Sequence, residues 1–138
     1  MSFKFIIALN KSLEPGVALN AAAHMSLGLC NKATETQRKQ MQFISFVDGS
    51  GNEHQSISAL SLIVLRATSA ELRKLVHAAK EQSLLYVDFL ETMTGDTYRE
   101  QLERTKSTPA EALVYYGVAV FCLKEVIDPL TKRLSLWK

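Results

Sequence analysis

Cysteine is scarce in this chain, with only Cys30 and Cys122 among 138 residues. They lie far apart in apolar stretches, with no C-x-x-C or Cys/His spacing around them, which argues against a disulfide framework and a zinc site. Both read as reduced core thiols of a cytoplasmic protein. An excess of one charge is also lacking: 16 Lys and Arg face 14 Asp and Glu, for a net of +2, and no run of like charges occurs. Nucleic acid such as tRNA is therefore permitted as a partner but not indicated. Long hydrophobic runs are missing as well. The longest, Leu113 to Leu123, is about half of the roughly 20 residues a spanning helix needs. The apolar stretch Phe3 to Leu9 stops at Asn10 and Lys11 before it resembles an export signal. No membrane partner is expected, and there is no internal repeat or low-complexity segment.

The composition that remains is ordinary, 47% hydrophobic and 22% charged, as in a chain that folds throughout. Its length suits one domain, residues 1–138, with a core that needs neither disulfide nor metal.

Phe3 to Leu9, rich in β-branched and aromatic residues, reads as a buried strand ending in a polar loop. Pro15 then opens an alanine-rich helix to about Cys30. Apolar or small on nearly every side, with one stripe of Ala18, Ala22, Met25 and Leu29 and another of Leu19, Ala23 and Leu27, it is expected to be mostly buried. Asn31 to Gln40 reads as a polar linker and Met41 to Val47 as the next segment. The Gly-rich loop Asp48 to Asn52 suits a hairpin or bulge. Leu60 to Arg66 is a buried strand, and Thr68 with Glu71 forms a capping box that starts a helix through Ala79. Leu84 to Leu90 is another strand, followed by a polar segment with helix around Tyr98 to Arg104. Thr108-Pro109-Ala110-Glu111 reads as a second capping box opening a short helix. Gly117 to Leu123, without charge, reads as a central strand. Ile127, Leu130, Leu134 and Trp137 mark a last helix, with Trp137 as a core or dimer anchor.

Strands alternating with helices predict an α/β fold, a three-layer sandwich of a mixed, mostly parallel sheet with helices on both faces. In such sheets ligands collect beyond the carboxyl ends of the strands. The first strand delivers Asn10, Lys11 and Ser12 to that edge, while Asn20 and His24, four residues apart, share one helix face. His24 is the candidate proton carrier, with Asn10, Lys11, Gly16 and Asn20 as ligand-binding candidates. The bland alternative makes His24 a buried histidine on a backbone carbonyl and Asn20 a tie between helix and loop. Amide hydrogens at Gly16 and Val17 face a possible anion, yet G-x-x-x-x-G-K-[ST] is absent. There is also no G-x-S-x-G, and Cys30, six residues after His24, falls on a different helix face. Glu91 and Asp96 follow an apolar strand and rank as assisting carboxylates. Asp88 within that strand fits an exposed sheet edge equally well. No metal and no cofactor are expected.

The stretches ALNKSLEPGVALNAAAHMSLGL and GVAVFCLKEVIDPLTKRLSLWK resemble a family of small uncharacterised domains, domain of unknown function two thousand. That family in turn resembles type 2 peptidyl-tRNA hydrolases in fold. The resemblance spans essentially the whole chain. It implies a small α/β sandwich with a mixed sheet, often a homodimer, with a site near the start of the first helix. Against the hydrolase pattern G-K-x-A-A-Q-x-S-H, Gly16 matches the glycine and His24 the histidine, while Val17 and Ala21 stand at the lysine and glutamine. The hydrolase motif D-A-G-x-T has no clean counterpart in Glu91 to Thr97.

Three functions fit these readings. The first is a domain that binds a small polar ligand or an RNA end at the first strand-loop-helix. The second is a hydrolase of an aminoacyl or peptidyl ester, with His24 assisted by Glu91 or Asp96. The third is a structural homodimer joined through its C-terminal strand and helix.

Overall fold

The computed structural model describes residues 1–138. Its central strand β1, Phe3–Asn10, is paired on both edges and buried along most of its length. On one side it runs parallel to β4, Leu62–Ala67, in a register from Phe5↔Leu62 to Asn10↔Ala67. On the other it runs antiparallel to β6, Tyr115–Leu123. Strand β5, Leu85–Leu90, adds beyond β6, and the two-residue β7, Ser135–Leu136, adds beyond β4, both antiparallel. The sheet order is β5-β6-β1-β4-β7.

The sheet is thus mostly antiparallel, which corrects the expectation of a mostly parallel one. Strands β1, β4 and β5 do run in one direction, as strand-helix alternation implies. But β6 runs the other way and inserts between β1 and β5, so only the β1–β4 pair is parallel.

Period-two alternation in β1 divides the core. Phe5, Ile7 and Leu9 pack with Ala18, Ala21, Met25 and Leu29 of helix α1, Pro15–Lys32. Ile6 and Ala8 pack with Leu72, Leu75 and Val76 of a later helix and with Ile127 near the C-terminus. Small residues permit close approach under α1: a Cβ on Gly117 would stand 2.5 Å from Met25 Cε, and one on Gly28 would stand 3.3 Å from Val87. Helix α1 is not mostly buried, however. Leu19 and Leu27 are 72% and 73% exposed, because a single stripe suffices to cover one sheet face and nothing covers the outer side.

The segment read as a linker contains helix α2, Glu35–Gln40, opened by a Thr34/Gln37 capping box. Strands β2, Phe43–Val47, and β3, Glu53–Ser58, form a separate two-stranded hairpin. Its turn is closed by the Asp48 carboxylate, which accepts the amides of Ser50 and Asn52 and meets His54 at 3.0 Å. Helix α3, Ser69–Glu81, starts at the Thr68/Glu71 capping box. After β5 come a 3-10 turn, Glu91–Met93, and helix α4, Tyr98–Lys106, capped by Thr97 and Glu100.

Two further expectations are corrected. Thr108-Pro109-Ala110-Glu111 makes no capping box. A 3-10 turn at Ala110–Ala112 replaces the helix, and the Thr108 hydroxyl instead donates to Arg104 O at 2.6 Å, at the end of α4. The last helix α5, Lys124–Thr131, stops well before Trp137. The chain turns at Leu134 and pairs with the open edge of β4, and the Trp137 amide donates to Val64 O. Trp137 itself is partly buried against the α1-side core. No helix is long and apolar enough to cross a membrane.

Candidate functional site

Strand β1 ends at Asn10, which is only 8% exposed. Its Nδ2 donates to Tyr115 O at 3.0 Å and its Oδ1 accepts the Ser12 amide at 2.9 Å. The Lys11 amide donates to Ala67 O at 2.9 Å. The loop after β1 is thereby anchored to both neighbouring strands, and α1 leaves from a defined position beyond the carboxyl ends of β1, β4 and β5.

The first half of α1 forms one wall of a cleft of about 750 Å³ through Gly16, Val17, Asn20 and His24. Asn20 and His24 are exposed, and neither side chain makes a hydrogen bond within the chain. The tie between loop and sheet is Asn10, not Asn20. The His24 ring stacks on Phe89 at the end of β5, centroids 5.7 Å apart and planes 27° from parallel.

Opposite stand Met93, Thr94 and Gly95, then one face of α4. There Tyr98 and Leu102, and likewise Gln101 and Thr105, fall four residues apart and so share a side. This wall is held from behind. Gly95 and Asp96 take consecutive positive φ values, 68° and 55°. Arg104 binds the Asp96 carboxylate at 2.9 Å and the carbonyls of Thr92 and Thr94. Gln101 donates to Gly95 O at 2.7 Å, and the Thr105 hydroxyl bridges to Thr92.

Of the residues singled out in the sequence, Gly16, Asn20 and His24 meet on this cleft. Asn10 does not line it: it is buried at the end of β1, engaged at both ends of its amide. Lys11, Glu91 and Asp96 are exposed but do not line it. Asp96 is taken up by Arg104, and Glu91 lies by the Tyr116 phenol, whose pKa is raised by burial and then by that carboxylate. No Lys, Arg, Asp or Glu lines the cleft. The helix around Tyr98 to Arg104 was expected and is α4, but its part in the cleft was not; its start is a Thr97-x-x-Glu100 capping signature of the same form as Thr68-x-x-Glu71.

Asp88 sits half-buried on the edge strand β5. Burial pushes its carboxyl above the usual range, partly offset by Lys80 and Lys32. Burial also pushes the Cys122 thiol up to about 11, which keeps it protonated and unreactive near neutrality. No three His, Cys, Asp or Glu side chains come together in a metal-binding arrangement.

The fold is similar to that of the protein of unknown function Atu0240 from Agrobacterium tumefaciens strain C58. The TM-score is 0.80 at 21% identity, over 100% of this chain and 99% of that one. No curated protein matches the chain. A family model described as Protein of unknown function (DUF2000) matches residues 3–138, and the chain belongs to that family.

Proposed function

We propose that the cleft between α1 and α4 binds a small, uncharged, partly flat ligand, and that the protein acts as a binding domain through it. The carrying observation is the pair Asn20 and His24, both exposed to the cleft with no hydrogen-bond partner in the chain. They offer a carboxamide and an imidazole, donors and acceptors for a polar edge. Phe89, Met93 and Leu102 offer apolar lining, and the volume falls in the range of small-molecule sites.

The lining without Lys or Arg favours a neutral ligand over an RNA end, since affinity for a phosphate backbone comes chiefly from those cations. Binding is favoured over ester hydrolysis because neither Glu91 nor Asp96 lines the cleft to assist His24. Helix α1 on one face of the sheet, with α3 and α5 on the other, supports a three-layer reading like that of type 2 peptidyl-tRNA hydrolases. Such a likeness of fold does not carry an activity.

A thermal-shift screen with neutral heteroaromatic and amide metabolites tests the reading, alongside free tRNA and charged tRNA. Stabilisation by a neutral compound, lost in Asn20→Ala and His24→Ala, is expected. Release of the aminoacyl group from charged tRNA faster than the blank would favour the hydrolase instead.

A further inference from the structure

No side chain of the hairpin formed by β2 and β3 is fully buried. Phe43, Ile44, Phe46, Val47 and Ile57 are 45–66% exposed. The two strands pair only with each other, and neither packs extensively on another helix or strand. An isolated two-stranded ribbon is marginal in water. Its first strand, Phe-Ile-Ser-Phe-Val, carries no charge, and its outer edge has no neighbour. Open edges in natural sheets are normally blunted by Lys, Pro or an inward-facing charge, and β2 has none of these. Strand β3 differs in carrying Glu53 and His54. The register steps from Ile44↔Ile57 to Phe46↔His54, which places the extra residue in β3 and leaves β2 regular.

We propose that the hairpin is a dimerisation arm, in which β2 pairs antiparallel with β2 of a second copy about a two-fold axis at Ser45. In that register Phe43 stands opposite Val47 of the second copy, and Ile44 opposite Phe46. Every large cross-strand pair is apolar, and the strand opposes no like charge to itself, as an isologous contact requires. The exposed apolar side chains divide between the two faces of the ribbon, Phe43 and Val47 on one and Ile44, Phe46 and Ile57 on the other, so a second copy paired along β2 extends both apolar strips. The unpaired edge of β2 supplies main-chain donors and acceptors for that pairing. The inference is independent of the cleft, which lies between α1 and α4.

Sedimentation velocity of the full chain over a broad concentration range tests it. The wild type is expected to sediment with twice its 15.4 kDa mass. Phe46→Glu and Ile44→Lys singly weaken the dimer by at least about tenfold, a 1.4 kcal/mol effect, with the far-ultraviolet circular dichroism unchanged. The I44K/F46E double variant recovers the dimer, because the introduced charges face each other across the two-fold axis. Should the variants fail to fold, hydrogen exchange on the wild type decides: β2 amides slow with rising concentration if the arm pairs. A wild type that stays monomeric, single variants that dimerise like the wild type, or a double variant without recovery would each overturn the proposal. So would β2 exchange independent of concentration.

Discussion

Asn10 and Asn20 carry the same side chain into opposite circumstances. Asn10 is buried with its amide satisfied by Tyr115 O and the Ser12 amide, whereas Asn20 is exposed on the cleft. Removing a buried hydrogen-bonding side chain orphans its partners and costs about 1–3 kcal/mol. Asn10→Ala is therefore expected to lower unfolding stability by that amount in a urea titration, while Asn20→Ala and His24→Ala stay within about 0.5 kcal/mol of wild type. Four-residue spacing was enough to place Asn20 and His24 on one face. The bond from Asn10 to the Ser12 amide is local, but the one to Tyr115 O, 105 residues away, is not legible in the sequence.

Asp88 gives a pH-dependent case. Its pKa is raised chiefly by burial, so the folded state holds the proton to higher pH than the unfolded state does. The ionised carboxylate then opposes folding in full above the raised pKa, and the penalty vanishes below the unfolded value near 3.8. Asp88→Asn is expected to melt higher than wild type at pH 7, with the difference narrowing as pH falls toward 4. A difference that widens on acidification would contradict the assignment.

Among the elements, capping signatures proved informative only where the chain continued as a helix. Thr68 and Glu71 cap α3 reciprocally, and the same form at Thr34/Gln37 and Thr97/Glu100 opens α2 and α4. Thr108 has a matching spacing to Glu111, yet Leu113 turns extended and leads into β6. Loss of a true cap costs about 1 kcal/mol. Thr68→Ala is thus expected to destabilise by about that much and Thr108→Ala by less, since Thr108 forgoes only a bond to Arg104 O; chemical denaturation distinguishes the two. Strand-helix alternation conveyed the shared direction of β1, β4 and β5, but neither the reversed direction of β6 nor the order of neighbours. The insertion of β6 between β1 and β5 depends on long-range pairing.

At the scale of the whole molecule, the cleft is assembled from segments far apart in the chain. One wall, α1, is marked in the sequence by a polar pair interrupting a helix otherwise made of small and apolar residues. The other is brought opposite it only by the fold, through β5, the Gly95–Asp96 turn and the Arg104 clamp. The cleft and the exposed hairpin are separate surfaces, one lined by uncharged polar and apolar groups, the other by apolar side chains on an unpaired strand edge.

The most direct test of the cleft as a binding site is NMR shift mapping of the labelled full chain against a library of small neutral heteroaromatic amides. Perturbations are expected to converge on Asn20, His24, Thr94 and Gln101, and to vanish in His24→Ala. A library that perturbs none of these residues, or perturbs them equally without the imidazole, would contradict the account.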